Sequence, residues 1–220
     1  MRAPSVEKIP GQPALRLGSF DVRSLGYDTN EYCLTGEALA FEQLEELRAD
    51  GVWRVKTSES AEYCTRIVVL TPDESSKFNG SVIVEWLNVT GGLDMPADWI
   101  MTHREIMRSG YAYVAVSAQQ VGVQGGLSLG ADMSLKKMDP DRYARLHHPG
   151  DRFCFDIFTQ AGHIIRQRPQ EILGDLKPRH LLAIGESQSA MFLATYVNAV
   201  CAVYAPLIFH LRGRLAVKQI

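Results

Sequence analysis

The chain has 220 residues and a formal net charge of −2 at pH 7, with 46% hydrophobic and 22% charged residues. This length and balance predict a single globular domain over residues 1–220. The near-neutral charge argues against a nucleic-acid partner, because holding a phosphate backbone requires clustered Lys and Arg.

The sequence carries no signal for a metal, a cofactor or a membrane. Its six histidines show no His-Glu-x-x-His spacing, and the glycines after Ala118 lack the Gly-x-Gly-x-x-Gly spacing of a dinucleotide loop. No segment approaches 18 apolar residues, and the N-terminus lacks the apolar run of a signal peptide. We therefore expect a cytoplasmic protein without cofactor, metal site or membrane partner. Its cysteines form no Cys-x-x-Cys pair, and we interpret them as reduced core thiols: Cys33, Cys64, Cys154 and Cys201.

The N-terminal quarter predicts irregular and antiparallel structure. Three prolines within residues 1–20 indicate an irregular arm, which we expect to lead into an edge strand at residues 15–22. The segment "YDTNEYCLTGEALAF" alternates loosely, as a half-buried antiparallel strand does. The next segment, "FEQLEELRAD", predicts a short charged helix that ends near Gly51.

From Glu62 onward, the pattern becomes strand and helix in alternation. The β-branched runs "YCTRIVVLTP" and "GSVIVEWLN" predict two strands, and the second lacks polar alternation, which indicates a central strand. A helix is predicted in "MPADWIMTHREIMRSG", with Pro96 in its first turn and its end at Gly110. The run "YAYVAVSA" predicts the next strand.

The C-terminal half continues this alternation after a long loop. Residues 119–150 are predicted to be irregular and rich in glycine, and loops of this length are usually functional or mobile. An amphipathic helix in "DRFCFDIFTQAGHIIRQR", a strand in "HLLAIGES", a helix over residues 190–200 and a last strand in "CAVYAPLIFHLRGR" follow. The alternation predicts an α/β fold, with a mostly parallel sheet that carries helices on both faces.

Ser187 lies where the predicted strand turns sharply into the predicted helix. A serine becomes a nucleophile only if it is exposed and offered to a base, and a tight strand-to-helix turn provides the exposure. Such a turn requires small residues two positions away on each side, and Gly185 and Ser189 are small. Ser189 is the weaker candidate, because bulky Met191 would be its neighbour. The alternative is that Ser187 is only a helix N-cap.

Two segments could supply donors for an oxyanion next to Ser187. The backbone N–H of Gln188 lies at the predicted helix N-terminus, where N–H groups point toward negative charge. The second donor is expected from the loop "EWLNVTGG", which follows the predicted central strand and contains Thr90, Gly91 and Gly92. The strand, turn and glycine loop together favour a hydrolase-type serine turn.

Three segments, "FNGSVIVEWLNVTGGLDMPADW", "RYARLHHPGDRFCFDIFTQAG" and "LLAIGESQSA", resemble a family of α/β-hydrolase domain proteins with a Gly-Glu-Ser-Gln-Ser-Ala nucleophile turn. The resemblance runs from about Tyr27 to Val203. It implies hydrolysis of ester-like substrates by acyl transfer, with Ser187 as nucleophile and Gln188 as oxyanion donor. The chain departs from the family at residues 204–206, where Tyr-Ala-Pro stands in place of Tyr-Asp-Gly.

The partners of a catalytic triad are not evident after Ser187. In this fold the acid and the histidine follow the nucleophile, yet residues 188–220 contain no Asp or Glu, and His210 is their only histidine. We interpret His210 as a packed or surface residue within the last predicted strand. Upstream candidates exist, which are better interpreted as a loop before a helix: His147, His148 and Asp151.

The missing partners lead to two expectations. The first is a serine hydrolase of small ester-like substrates that is impaired in this chain, since a serine without its base keeps only modest activity. The alternative is a non-catalytic chain, either a truncated fragment or a pseudoenzyme that keeps the pocket for binding. In either case we expect an α/β-hydrolase fold without its last strands, whose exposed sheet edge favours self-association.

Overall fold

The computed structural model describes residues 3–201 of the chain. Six strands form one sheet with the order β1-β2-β3-β5-β4-β6. The strands are β1 (Ser5–Ile9), β2 (Tyr27–Gln43), β3 (Val55–Pro72), β4 (Ser81–Trp86), β5 (Ala112–Val116) and β6 (His180–Ile184). The α-helices are α1 (Ala97–Arg108), α2 (Gln120–Gln124), α3 (Leu135–Met138), α4 (Cys154–Gln167) and α5 (Gln188–Thr195).

The sheet is mixed, with an antiparallel half and a parallel half. β1, β2, β3 and β5 pair antiparallel, whereas β5, β4 and β6 pair parallel. Parallel pairs need helical crossovers, and the predicted alternation supplies α1 between β4 and β5 and α4 before β6. The predicted α/β fold with helices on both faces is confirmed, and the predicted parallel arrangement is found in β5, β4 and β6, whereas β1, β2 and β3 add an antiparallel half.

The position of β4 determines where a ligand can bind. From β4 the chain crosses to β5 on one side, and it later returns to β6 on the other side. Helices α4 and α5 pack on one face of the sheet and α1 packs on the other. The segments after β4 and β6 therefore diverge to opposite faces and leave a crevice at the carboxyl ends of these two neighbouring strands.

Alternating side chains of the strands bury a core on each face. Val82, Val84 and Trp86 of β4 face α4 and α5, and all three are fully buried. On the opposite face, Trp99 and Ile106 of α1 pack against the sheet. The spacing of these two residues confirms the predicted helix, which ends before Gly110 at a φ of +71°.

The N-terminal arm is more ordered than the sequence predicts. Residues 5–9 form the edge strand β1 against β2, so the predicted irregular arm over residues 1–20 is wrong at this point. The strand predicted at residues 15–22 does not form. Leu15, Leu17 and Phe20 instead pack their side chains on the cluster around α1, and this packing needs no backbone partner in the sheet.

The charged helix predicted in "FEQLEELRAD" is also wrong. Strand β2 continues to Gln43, and residues 44–54 form the tip of a long β2–β3 hairpin. The tip is fixed by long-range bonds, since the N–H of Trp53 donates to the carbonyl of Asn198 at 3.0 Å. Leu44 and Leu47 are about half exposed, so no apolar helix face is buried here.

Two short helices, α2 and α3, interrupt the predicted irregular region at residues 119–150. The helix after Ser187 begins at Gln188 and continues as a π-helix over Tyr196–Cys201. The predicted last strand and His210 lie outside the described residues. Of the described helices, none is long and apolar enough to cross a membrane.

Candidate active site

Ser187 occupies a strained turn between β6 and α5. Its φ of +53° and ψ of −115° make it the one non-glycine residue with positive φ in residues 3–201. A conformation of this kind costs about 1–3 kcal/mol and persists only where the surrounding structure fixes it. The Ser187 side chain is exposed, and its Oγ has no hydrogen-bond partner among the described residues. The turn thus presents a free hydroxyl.

The neighbouring serine closes this turn. The Ser189 hydroxyl accepts a hydrogen bond from the N–H of Glu186 at 3.0 Å and donates to the Glu186 carbonyl at 2.8 Å. Ser189 is fully buried, so it is a structural residue rather than a nucleophile. A Cβ on Gly185 would meet Ser189 and Leu193 at 3.0–3.1 Å, which explains why this position is small.

Asn88 joins the glycine loop to the serine turn. Its side-chain amide donates to the carbonyl of Glu186 at 2.9 Å, and its Oδ1 accepts the N–H of Thr90 at 2.9 Å. The sequence places these two segments almost 100 residues apart, and the sheet brings them together at the ends of β4 and β6. Asn88 therefore fixes the loop relative to Ser187.

The backbone donors of the two segments differ in availability. The Thr90 N–H is bound by Asn88, and the Gly92 N–H donates to the Val89 carbonyl at 3.0 Å. By contrast, the N–H of Gly91 donates to no residue within 3–201. The N–H of Gln188 lies at the first position of α5, where no partner exists within the helix.

A cleft of about 400 Å³ lies beside the turn, where Gln188 forms part of its wall. Two buried polar atoms on this wall, Thr90 Oγ1 and Gln188 Oε1, have no hydrogen-bond partner in the part of the chain that the structure describes. An unpaired buried polar atom costs about 1–3 kcal/mol, which a bound ligand can offset. The lining residues are Val89, Thr90, Gln119, Val121, Leu127, Ser128, Leu129, Asp151, Gln188 and Phe192.

Gln119 orients the wall of the cleft, and no specific sequence signal points to it. Its Oε1 accepts hydrogen bonds from the side chain of Gln188 at 2.9 Å and from the indole of Trp86 at 3.1 Å. Its Nε2 donates to Asp151 at 3.1 Å, and Asp151 also accepts the N–H of Gln120 at the start of α2. Asp151 thus holds Gln119, which holds Gln188. The only sequence clue was a polar residue directly after the apolar run "YAYVAVSA".

His148 is committed to the backbone. Its Nδ1 accepts the N–H of Gly150 at 3.2 Å, so its Nε2 carries the proton that is donated to the carbonyl of Ala118 at 2.8 Å. Burial lowers the pKa of His148, which favours the neutral ring. With both nitrogens engaged, His148 fits the interpretation as a structural loop residue rather than a base.

The other histidines in residues 3–201 also lie away from Ser187. His103 and His163 hydrogen-bond within α1 and α4, and the backbone of His147 bridges to Cys64. His180 begins β6, at the end of the strand opposite to the turn. Over the described residues no histidine hydrogen-bonds to Ser187, and no cluster of side chains could hold a metal ion.

A buried carboxylate fixes the helix that follows the loop. Glu85 on β4 accepts the N–H groups of Asp98 and Trp99, each at 3.0 Å, and the hydroxyl of Tyr113 at 2.5 Å. Burial raises the pKa of Glu85 to about 7, although these hydrogen bonds favour its charged form. Burial and the charge of Glu186 also raise the pKa of Asp98. The first turn of α1 is thus tied to β4.

A strand-turn-helix serine at the carboxyl edge of an α/β sheet is typical of hydrolases. A family model described as "Alpha/beta hydrolase domain" matches residues 2–218, and the chain belongs to this family. The family resemblance inferred from the sequence is confirmed at this level. No curated protein matches the chain.

Two solved structures are similar to the chain at low identity. One is acetyl xylan esterase 1 from Thermoanaerobacterium sp., with 15% identity and a TM-score of 0.41. The match includes 88% of this chain and 49% of the esterase. The other is a glucuronoyl esterase from Teredinibacter turnerae, with 11% identity and a TM-score of 0.32. The match includes 84% of this chain and 39% of that esterase. The chain therefore spans under half the length of both structures, and with TM-scores below 0.5 they carry no functional argument.

Proposed function

We propose that the chain is a serine hydrolase that acts on small ester-like substrates by acyl transfer, with Ser187 as the nucleophile. The observation that carries this proposal is the strained backbone of Ser187, at φ +53°, in a turn that leaves its hydroxyl exposed at the N-terminus of α5. A purely structural N-cap serine would bond its own helix, but Ser187 makes no side-chain cap bond. Strain at a site is typical of function.

We propose further that the oxyanion is bound by the N–H of Gln188 and by the loop after β4. Within this loop, the Gly91 N–H and the Thr90 hydroxyl have no partner among the described residues, so these two groups are the best supported donors. The Gly92 N–H is already bound, and we assign Gly92 to the shape of the turn, where its φ is +80°. Donors fixed before the reaction are what oxyanion stabilisation requires.

The cleft suggests which ester would fit. Its wall combines apolar side chains with Gln188 Oε1, a buried acceptor, and Thr90 Oγ1, a donor or acceptor. We infer a substrate whose acyl or alcohol part carries a hydroxyl or amide hydrogen beside an apolar portion. A purely alkyl ester would leave both polar atoms unpaired.

The test is labelling of the folded chain with a fluorophosphonate probe. We expect an adduct on Ser187 that is lost in Ser187→Ala and kept in Ser189→Ala, provided that thermal unfolding shows the second variant to be folded. The folding of Ser189→Ala has to be checked because Ser189 closes the turn. An adduct on Ser189, or labelling of Ser187→Ala equal to that of wild type, would contradict the proposal. The absence of any adduct on folded wild-type chain would show that Ser187 is not activated.

A second candidate is a non-catalytic binding module. His148 favours it, because both of its ring nitrogens are engaged in hydrogen bonds to the backbone. A base for Ser187 is not supplied by the histidines in residues 3–201 as they are arranged. If the chain only binds, a hydroxylated ester should raise the unfolding temperature equally in wild type and in Ser187→Ala, without product or adduct. Turnover that depends on Ser187 would exclude this candidate.

A further inference from the structure

Cys33 on β2 and Cys64 on β3 form a close pair that the sequence did not predict. Their sulfur atoms lie 2.9 Å apart, within hydrogen-bond distance for thiols. In the register of the hairpin, Cys33 faces Arg66 and Cys64 faces Thr35, so the two cysteines are diagonal neighbours. Both side chains contact the same apolar cluster and thus lie on the same face of the sheet.

The surroundings hold the pair in place. Cys33 is 4% exposed and Cys64 is 8% exposed, in a cluster with Val123, Leu135 and Leu146. The backbone of Cys64 exchanges two hydrogen bonds with His147, at 2.8 and 2.7 Å. Both cysteines are free thiols in this structure. To join, the two sulfur atoms would have to close from 2.9 Å to the disulfide bond length of about 2.05 Å.

The two thiols are chemically unequal. The hydrogen bond from the Cys33 thiol lowers the pKa of Cys64, and the same contact raises the pKa of Cys33. Burial and the charge of Glu7 oppose the Cys64 thiolate, whereas Thr35 and the positive charge of Arg145 favour it. By contrast, burial raises the pKa of Cys154 well above its ordinary value. Because the thiolate is the reactive form, Cys64 is the cysteine expected to react first.

We propose that Cys33 and Cys64 are an oxidation site of this protein, a reversible dithiol–disulfide pair that reacts with hydroperoxides. The inference rests on the contact of the two sulfur atoms and on their common apolar pocket, and it is independent of the chemistry of Ser187. A pair of this kind in a protein with reduced thiols is typical of redox sensing rather than of structural cross-linking.

The chemistry balances in two steps. The Cys64 thiolate attacks one oxygen of hydrogen peroxide, which forms an S–O bond, breaks the O–O bond and releases hydroxide that is protonated to water. The Cys33 sulfur then attacks the Cys64 sulfur, which forms the S–S bond and expels the oxygen as a second water with the Cys33 proton. The two thiols lose two electrons and the peroxide gains them. A dithiol reductant reverses the reaction by exchange.

The experiment treats the folded full-length chain with hydrogen peroxide, blocks the remaining thiols and maps tryptic peptides without reduction. The four cysteines fall in four different peptides, residues 24–48, 57–66, 153–166 and 180–212. We expect two of four thiols to be lost, with peptide 24–48 linked to peptide 57–66 and with recovery of both after dithiothreitol. The wild-type chain alone gives this readout, so it does not depend on a variant that folds.

Matched variants then test the order of events. With Cys64→Ala, we expect no loss of thiols at the peroxide dose that closes the wild-type pair, whereas Cys33→Ala should stop at sulfenic acid on Cys64, trapped with dimedone. Cys154→Ala should leave the linked peptides unchanged. Irreversible oxidation of either cysteine without the linked peptides, links between two molecules, or four intact thiols at a dose that oxidises glutathione would each overturn the proposal.

Discussion

The antiparallel and the parallel half of the sheet differ in length and in what they carry. β2 and β3 have 17 and 18 residues and form a long hairpin, whereas β4, β5 and β6 have only five or six residues each. Every residue of the candidate active site follows one of the three short strands. The long half acts as a scaffold, and the short half exposes its carboxyl ends to a ligand.

The two halves also handle polar groups differently. Arg66 on β3 is fully buried, and it donates to Asp94 at 2.7 Å and to Ser117 at 3.1 Å. Glu31 on β2 completes this network with Arg66, Arg142 and Tyr143. At the cleft, Thr90 and Gln188 keep polar atoms unpaired. The scaffold network pairs opposite charges, although Asp94 Oδ1 also lacks a hydrogen-bond partner among the described residues, whereas the unpaired atoms at the cleft belong to neutral side chains that line it.

Breaking the Arg66 network should have the largest effect. Arg66→Met removes the only cation within hydrogen-bond reach of Asp94 among the described residues and leaves buried negative charge behind. Removing one partner of a buried ion pair typically costs about 3–5 kcal/mol. We expect the free energy of unfolding in urea to fall by this amount. Because Asp94 belongs to the segment between the glycine loop and α1, labelling of Ser187 should also slow.

The matched control for Arg66→Met is Arg108→Met. Arg108 forms its ion pair with Glu105 on the exposed surface of α1. An exposed pair contributes at most about 1 kcal/mol, so the control should change the unfolding free energy little. If both substitutions lowered the free energy of unfolding equally, the buried network would contribute no more to stability than the exposed ion pair.

The anchor of α1 should make stability depend on pH. Folding raises the pKa of Glu85 from 4.5 to about 7, so the folded chain retains a proton that the unfolded chain has released within this range. The contribution of Glu85 is therefore fully present below pH 4.5 and is lost as the pH rises through about 7. At about 1.4 kcal/mol per pKa unit, the change amounts to roughly 3 kcal/mol.

Glu85→Gln isolates this contribution. Other groups also contribute to the pH dependence, among them Asp98 and Asp156, whose pKa burial raises, and His163, whose pKa burial lowers. The quantity to measure is therefore the difference in unfolding free energy between wild type and variant. We expect this difference to fall with rising pH in urea titrations at several pH values. A difference that stays constant from about pH 4 to pH 8 would mean that the carboxyl is not titrating there.

The sequence predicted the parallel half better than the antiparallel half, and the reason is the range of the interactions. β4, α1, β5, α4 and β6 show local apolar periodicity, which the structure confirms. The hairpin tip at residues 44–54 and the edge strand β1 depend on pairing with distant segments, and local charge suggested a helix at the tip instead.

In the candidate site, too, features with a local sequence signature could be predicted, whereas those that depend on long-range contacts could not. Ser187 could be predicted because small residues at positions 185 and 189 are a local signature of a tight turn. Gln119 could not, since its bonds to Gln188 and Asp151 span 69 and 32 residues. The pairing of Cys33 with Cys64 likewise follows from the register of β2 and β3, which the sequence leaves open.

The smallest expected effect comes from the backbone strain at Ser187, a feature that the serine turn has and the scaffold lacks. Ser187→Gly should raise the free energy of unfolding by about 1 kcal/mol, since glycine adopts a positive φ without the clash of a Cβ. Ser187→Ala keeps the Cβ and is the matched control, because it removes the same hydroxyl but leaves the strain. Urea unfolding of the two variants measures the difference directly. If glycine proves no more stable than alanine here, the positive φ costs nothing, and the turn holds Ser187 exposed without the strain that supports its assignment as a nucleophile.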